Sequence, residues 1–119
     1  MIEVRAKYFN ARSHKEDYFI YTDVEVKGHS ETCDNKNNIR LCAGISACCF
    51  GIKNIIDGSQ YKYKIDRGYF RCVRDTKALT RDKQTIYALN TLVCQLYELY
   101  KNYPNAFVCF DLVDIKEKN

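Results

Sequence analysis

The stretch Leu41 to Ile56, LCAGISACCFGIKNII, decides how the rest of the chain is read. Its apolar residues Leu41, Ile45, Cys48, Cys49, Ile52, Ile55 and Ile56 recur at i, i+4, i+7 and i+8, the stripe of an amphipathic helix. Asn37 or Asn38, in the polar run before it, can cap this helix through a side-chain oxygen. Gly58 is expected to end it. Cys42 then falls in about the first turn, beside backbone N–H groups that lack intrahelical partners.

Working outward, the period changes. Ile2 to Phe9 alternates as I-x-V-x-A-x-Y, a strand pattern. The polar run Asn10 to Asp17 reads as a hairpin connection, with His14 exposed and inert. Tyr18 to Lys27, YFIYTDVEVK, is rich in aromatic and β-branched residues. Ile20, Thr22, Val24 and Val26 can share one face and Tyr21, Asp23 and Glu25 the other. Gly28 ends this strand and His29 follows at once. Downstream, Tyr61, Tyr63 and Ile65 alternate before a turn near Asp66 to Gly68. Beyond it Tyr69, Arg71 and Val73 take one face, Phe70 and Cys72 the other. A second helix fits Asp82 to Asn102, with Ile86, Leu89, Leu92, Val93, Leu96 and Leu99 as its stripe and Thr80 or Asp82 as its cap. Pro104 stops it, because proline cannot continue the hydrogen-bond ladder. AFVCFDLVDI, residues 106–115, is a last strand before a charged tail.

The expected fold class is therefore α/β (α+β): a mainly antiparallel sheet with two long helices, in the order β-β-α-β-β-α-β. No linker or repeat divides the chain, so residues 1–119 are read as one domain with a short charged C-terminal tail. The 119 residues are 46% hydrophobic and 29% charged, with one proline, as in ordinary globular proteins. No signal-peptide pattern opens the chain, and no apolar run approaches the roughly 18 residues of a membrane span. A cytoplasmic, non-membrane protein is expected. The net charge of +4 comes from scattered rather than blocked basic residues, which permits nucleic-acid contact without demanding it. Seven cysteines, an odd number set mostly in apolar segments, point to reduced thiols. Cys48, Cys49 and Cys94 read as small core hydrophobes.

The chemistry concentrates in Lys27 to Gly44, KGHSETCDNKNNIRLCAG. A thiol is activated near a helix N-terminus or an imidazolium, because both favour the thiolate. If the polar loop folds back, His29 can take the Cys42 proton and later protonate a leaving amine. Helix-start N–H groups can hold a developing oxyanion. Zinc bound by His29, Cys33 and Cys42, with Asp34 as a fourth ligand, is a rival, although no CxxC pair supports it. A second rival is RNA stacked along Tyr61, Lys62, Tyr63, Lys64, Tyr69 and Arg71. A third is a pure protein-interaction module. Residue types and spacing alone leave these readings open.

The paired motifs go further. GHS at Gly28 to Ser30, followed after a polar loop by LCAGISACCFGIKNII, resembles the ribosomal-processing cysteine proteases of bacteria, the Prp family. The resemblance extends over essentially the whole chain. It implies an α/β fold, usually homodimeric, that removes an N-terminal extension from a large-subunit ribosomal protein. It also implies no metal, no organic cofactor and no direct nucleic-acid binding. By motif, the family's histidine falls on His29 and its nucleophile on Cys42. The small residues after the nucleophile fall on Ala43 and Gly44, where they either expose backbone to a peptide or permit close helix packing. The family's helix serine falls on Ser46. Its substrate-ordered loop corresponds to Ser30 through Arg40. One departure stands out: Ile39, in IRLC, occupies the place of a family acid, leaving Asp34 or Glu31 as the group to orient His29. A relative with weakened or no catalysis, acting as a protein- or RNA-binding module, is the alternative.

Overall fold

The computed structural model describes residues 1–12, 17–28, 36–75 and 83–115. Strand β1, Ile2–Arg12, pairs with β2, Asp17–Lys27, in an antiparallel hairpin. Helix α1 spans Lys36–Ile52. A second hairpin joins β3, Tyr61–Asp66, to β4, Tyr69–Arg74, through a turn in which Gly68 has φ +72°. Helix α2, Lys83–Asn102, leads through a short 3-10 turn at Pro104–Ala106 into β5, Phe107–Asp114. The five strands form one sheet in the order β3-β4-β2-β1-β5. Only the β1–β5 pairing is parallel, since α2 carries the chain across the sheet to the far side of β1.

Alternation puts Ile2, Val4 and Ala6 of β1, Val24 and Val26 of β2, and Phe70 and Cys72 of β4 into the core. Leu41, Ile45, Cys49 and Ile52 of α1 join them there, with Ala88, Leu89, Leu92, Val93 and Leu96 of α2. The stripe expected for the second helix is therefore the buried one, with Leu99 partly buried at its edge. On β4 the division of faces is also as expected, Phe70 and Cys72 being buried.

The expected alternation of the first hairpin breaks at one place. The register shifts between Lys7 and Tyr8, so that Lys7 faces Asp23 while Tyr8 faces Tyr21. Thr22 is the extra residue, and its hydroxyl donates to the Lys7 carbonyl at 3.3 Å. Such a bulge reverses the alternation beyond it. Tyr21, expected on the outer face, is consequently buried, and Thr22 is half-exposed. Phe9 and Ile20 form a separate small cluster with Ile86 of α2.

Helix α1 also departs from expectation at both ends. It starts at Lys36, so Asn37 and Asn38 are helical residues rather than caps. It ends at Ile52, not Gly58: the N–H groups of Ile55 and Ile56 both donate to the Ile52 carbonyl, at 2.9 and 3.2 Å. The Asp57 carboxylate then accepts from the Ser59 N–H and hydroxyl, at 2.9 and 2.7 Å. This side-chain turn competes with helix continuation. Ile55 is left exposed, while Ile56 still reaches the core. Cys94, expected in the core, is exposed on α2. Thr80, Asp82 and His14 lie outside the described residues.

Thr85 is the one polar side chain that is fully buried among the described residues. Its hydroxyl accepts from the Asp57 N–H at 2.8 Å and reaches the Ile55 carbonyl at 3.4 Å, closing the end of α1 onto α2. Replacing the hydroxyl by a methyl strands a buried donor. Thr85→Val is expected to lower unfolding free energy by about 1–3 kcal/mol in urea titrations, with Thr85→Ser losing less.

Candidate active site

The site is built where three chain segments meet. At the end of β2, Gly28 has φ +87°, a conformation that side chains resist. Its N–H donates to the Gly68 carbonyl in the β3–β4 turn at 3.0 Å. A Cβ at this position would overlap the carbonyl oxygen of Met1, at the start of β1. Glycine is thus required by both conformation and space. The backbone clasp fixes the point at which the chain leaves the sheet towards His29. His29 itself lies outside the described residues, as do Ser30, Glu31, Cys33 and Asp34.

Cys42 lies on α1 and is only 4% exposed. Since the helix begins at Lys36, this cysteine is in the second turn, not the first as expected. The N–H groups without intrahelical partners lie in the first turn, before Cys42. The helix dipole acts mainly within the first turn, and Cys42 lies beyond it. The same boundary turns residues 36–40, expected as part of the loop, into helix.

Around Cys42, Ala43 is exposed and Gly44 half-exposed. A Cβ built on Gly44 meets nothing within 4 Å. Close packing among the described residues therefore does not explain that glycine. Ser46 lies one turn further on and is half-buried. Ile39, in the place of the expected acid, is 51% exposed. Cys42, Ala43, Gly44 and Ser46 are thus brought together on one helix.

The other cysteines belong to different environments. Burial pushes the Cys49 thiol up to about 12, with a smaller contribution from Cys48, and burial pushes Cys72 up to about 12 as well. These are inert thiols of the core. Among the described residues no group of three or more His, Cys, Asp or Glu could hold a metal ion. Cys33, His29 and Asp34 of the zinc alternative lie outside those residues.

The proposed RNA stripe is split by the sheet. Tyr61 is buried in the core, whereas Lys62 and Lys64 pair in register with Val73 and Arg71 on the opposite face. There Arg71 already has an anionic partner. The Arg71 guanidinium holds Asp23 through two hydrogen bonds, at 2.9 and 3.2 Å, and Tyr69 donates to Glu25 at 3.0 Å. Sequence reasoning found the turn at Gly68 but not its role as acceptor for Gly28. Only the sheet order brings the two glycines together.

Known proteins agree with this geometry. The cysteine protease Prp family matches residues 1–108, which places the chain among cysteine proteases. A crystal structure of an essential ribosomal-processing protease Prp from S. aureus, in complex with a covalently linked product peptide, is 25% identical. It superposes with a TM-score of 0.67 over 93% of this chain and 99% of that one. SMU.848 from Streptococcus mutans shares the fold at 15% identity, with a TM-score of 0.67 over 98% and 96% of the two chains. Comparison with curated proteins gives no match. The chain belongs to the Prp family of cysteine proteases.

Two measurements check the site's architecture. Gly28→Ala is expected to destabilise the fold by at least about 2 kcal/mol in urea titrations, because no backbone adjustment satisfies both φ and the Met1 carbonyl. In alkylation with iodoacetamide at about pH 8, followed by peptide mass mapping, exposed Cys94 should be modified well before Cys49 and Cys72. Cys49 and Cys72 should stay unmodified until the protein unfolds, because a raised pKa leaves little thiolate at that pH.

Proposed function

We propose that this protein is a cysteine endopeptidase that removes the N-terminal extension of a large-subunit ribosomal protein, with Cys42 as nucleophile and His29 as base and then acid. The observation that carries this reading is the S. aureus relative, a ribosomal-processing protease held with a covalently linked product peptide, whose likeness extends over nearly the whole of both chains. Gly28-His29 and Cys42 are the residues of this chain that carry the family motifs.

In this mechanism His29 accepts the Cys42 proton, and the sulfur attacks the carbonyl carbon of the scissile peptide bond. The resulting oxyanion is held by backbone N–H groups at the start of α1. Protonated His29 then gives its proton to the leaving amine, the C–N bond breaks, and a thioester with Cys42 remains. Water, deprotonated by His29, attacks that thioester and releases the acid product, and the proton returns to the sulfur. Ser46, one turn from Cys42, lines the peptide site, and Asp34 orients the imidazole. No metal or organic cofactor takes part. The enzyme works in the cytoplasm as a homodimer, where the nascent ribosomal protein is available before assembly.

The alternative, a relative with weakened catalysis that binds protein partners, draws on Ile39 in place of the acid and on the second-turn position of Cys42. One experiment separates the two. Purified enzyme is incubated with the precursor ribosomal protein from the same genome, and the released peptide is weighed by mass spectrometry. Cleavage is expected for the unmodified chain. Cys42→Ala and His29→Ala should each reduce it by at least about a thousandfold while leaving the circular dichroism spectrum unchanged. Undiminished cleavage by Cys42→Ala would refute the mechanism, and precursor binding without cleavage by the unmodified chain would favour the alternative.

A further inference from the structure

Strand β3 closes one end of the sheet, and its backbone groups divide into two sets. The Asp75 N–H donates to the Gln60 carbonyl at 2.7 Å. Residues 60 and 75 are thus a bonded pair, and in an antiparallel ladder every second pair repeats this. Lys62, Lys64 and Asp66 therefore direct their backbone groups to Val73, Arg71 and Tyr69 of β4. The bond from Gly28 to Gly68 sets the same phase from the other side of β4. Tyr63 and Ile65 consequently direct their N–H and C=O groups away from the sheet. Among the described residues no hydrogen bond reaches those outward groups.

The side chains divide as well. Tyr61, Tyr63 and Ile65 take the face that the helices cover, with Tyr61 buried, Ile65 half-buried and Tyr63 44% exposed. Lys62 and Lys64 take the other face, and among the described residues neither is in an ion pair. Lys64 instead lies opposite Arg71, and like charges in that position cost stability. A depression of about 300 Å³ there is lined by Lys62, Tyr63, Lys64, Tyr69, Arg71 and Val73, none of them a carboxylate. Lysines at an edge discourage indiscriminate strand addition, but they leave the edge open to a strand that carries carboxylates. Strand β2 shows this pattern within the molecule. Its Val24 and Val26 enter the core, while Asp23 and Glu25 accept from Arg71 and Tyr69 of β4.

We propose that the outer edge of β3 is a docking site for an acidic, extended segment of a partner protein, which adds to the sheet antiparallel to β3. The segment's backbone bonds to Tyr63 and Ile65, and its residues opposite them are apolar. Its residues opposite Lys62 and Lys64 are acidic, and the one opposite Asp66 is basic. Read from its N-terminus, the segment has the pattern Lys-Val-Glu-Val-Glu. The outward backbone groups favour a peptide over a nucleic acid, which offers no alternating donors and acceptors at strand spacing. A second copy of β3 fits less well, because the pairing that satisfies both Tyr63 and Ile65 sets Lys64 opposite Lys64. Strand β3 leads into the turn that clasps Gly28, so a docked segment lies close to the root of the His29 segment.

The site does not rest on the cleavage chemistry, so its test uses the full chain and a synthetic probe. Fluorescein-labelled Thr-Lys-Val-Glu-Val-Glu-Thr is titrated with protein up to about 1 mM and followed by fluorescence anisotropy. Saturable binding is expected. The charge-inverted peptide Thr-Glu-Val-Lys-Val-Lys-Thr should bind at least about tenfold more weakly. Lys62→Glu combined with Lys64→Glu should reverse that preference. N-methylation of the probe's second valine, opposite Tyr63, removes a backbone donor and keeps every charge. It should weaken binding about tenfold. Tyr63→Pro should do the same from the protein side, since its N–H lies outside the sheet's own ladder. The methylated probe keeps the result decisive even if that variant disturbs the fold. No saturation, equal binding of the two peptides, an undiminished methylated probe, or equal binding of a labelled oligouridylate would overturn the proposal. Each of those outcomes leaves the protease reading standing, because cleavage is measured separately.

Discussion

The arrangement depends on one backbone clasp. At Gly28 the chain ends β2, donates to the Gly68 carbonyl and lies against the Met1 carbonyl, in a conformation open only to glycine. Three strands are therefore locked together at one end of the sheet, and the residue that leaves this junction is the histidine of the family motif. Loops are where function tends to sit, but they work only when a rigid scaffold fixes their roots. Here the root is a glycine held from two sides. The other root of the same segment is α1, anchored by Leu41 and Ile45 in the core immediately beside Cys42.

The two faces of the sheet are specialised in opposite ways. One is covered by both helices and is apolar. The other carries cross-strand rows of mixed charge, such as Lys64, Arg71, Glu25, Arg5 and Asp111 across all five strands. Pairs such as Arg71 with Asp23 and Arg5 with Glu3 each add little stability at this exposure. Their effect is to balance the face, so that the net positive charge of the chain does not become a continuous basic patch there. The guanidinium of Arg71, flanked by Asp23 and Glu25, stays firmly charged. A sheet of this kind keeps its chemistry at its end and its rim.

Much of the fold was legible because its signals are local. The apolar period of α2, the alternation in β4 and the proline that ends the second helix all act through neighbours within a few residues. The misreadings share a cause as well. The bulge at Thr22 depends on how β1 and β2 slide against each other, and it moved Tyr21 to the buried side. The early end of α1 depends on Asp57 and Ser59 forming their own turn, and on Thr85, twenty-eight residues away, accepting the Asp57 N–H. The tyrosine–lysine stripe looked continuous in sequence because alternation hides which residues a sheet sends to opposite faces. For the candidate site, the motif pair was visible in the sequence, but the helical turn that carries Cys42 was not.

By itself, the sequence determined the element order, the apolar stripe of each helix and the end of β2 at Gly28, while His29 and Cys42 stood out through the family motif. Each of these follows from side-chain type and spacing, which act at short range. The tertiary structure alone decided that β5 runs parallel to β1 at one end of the strand order, that Gly28 is clasped by Gly68 and Met1, and that Cys42 sits one turn inside α1. Those facts rest on contacts between residues far apart in the chain, and such contacts exist only once burial of a common core has chosen one strand order among many.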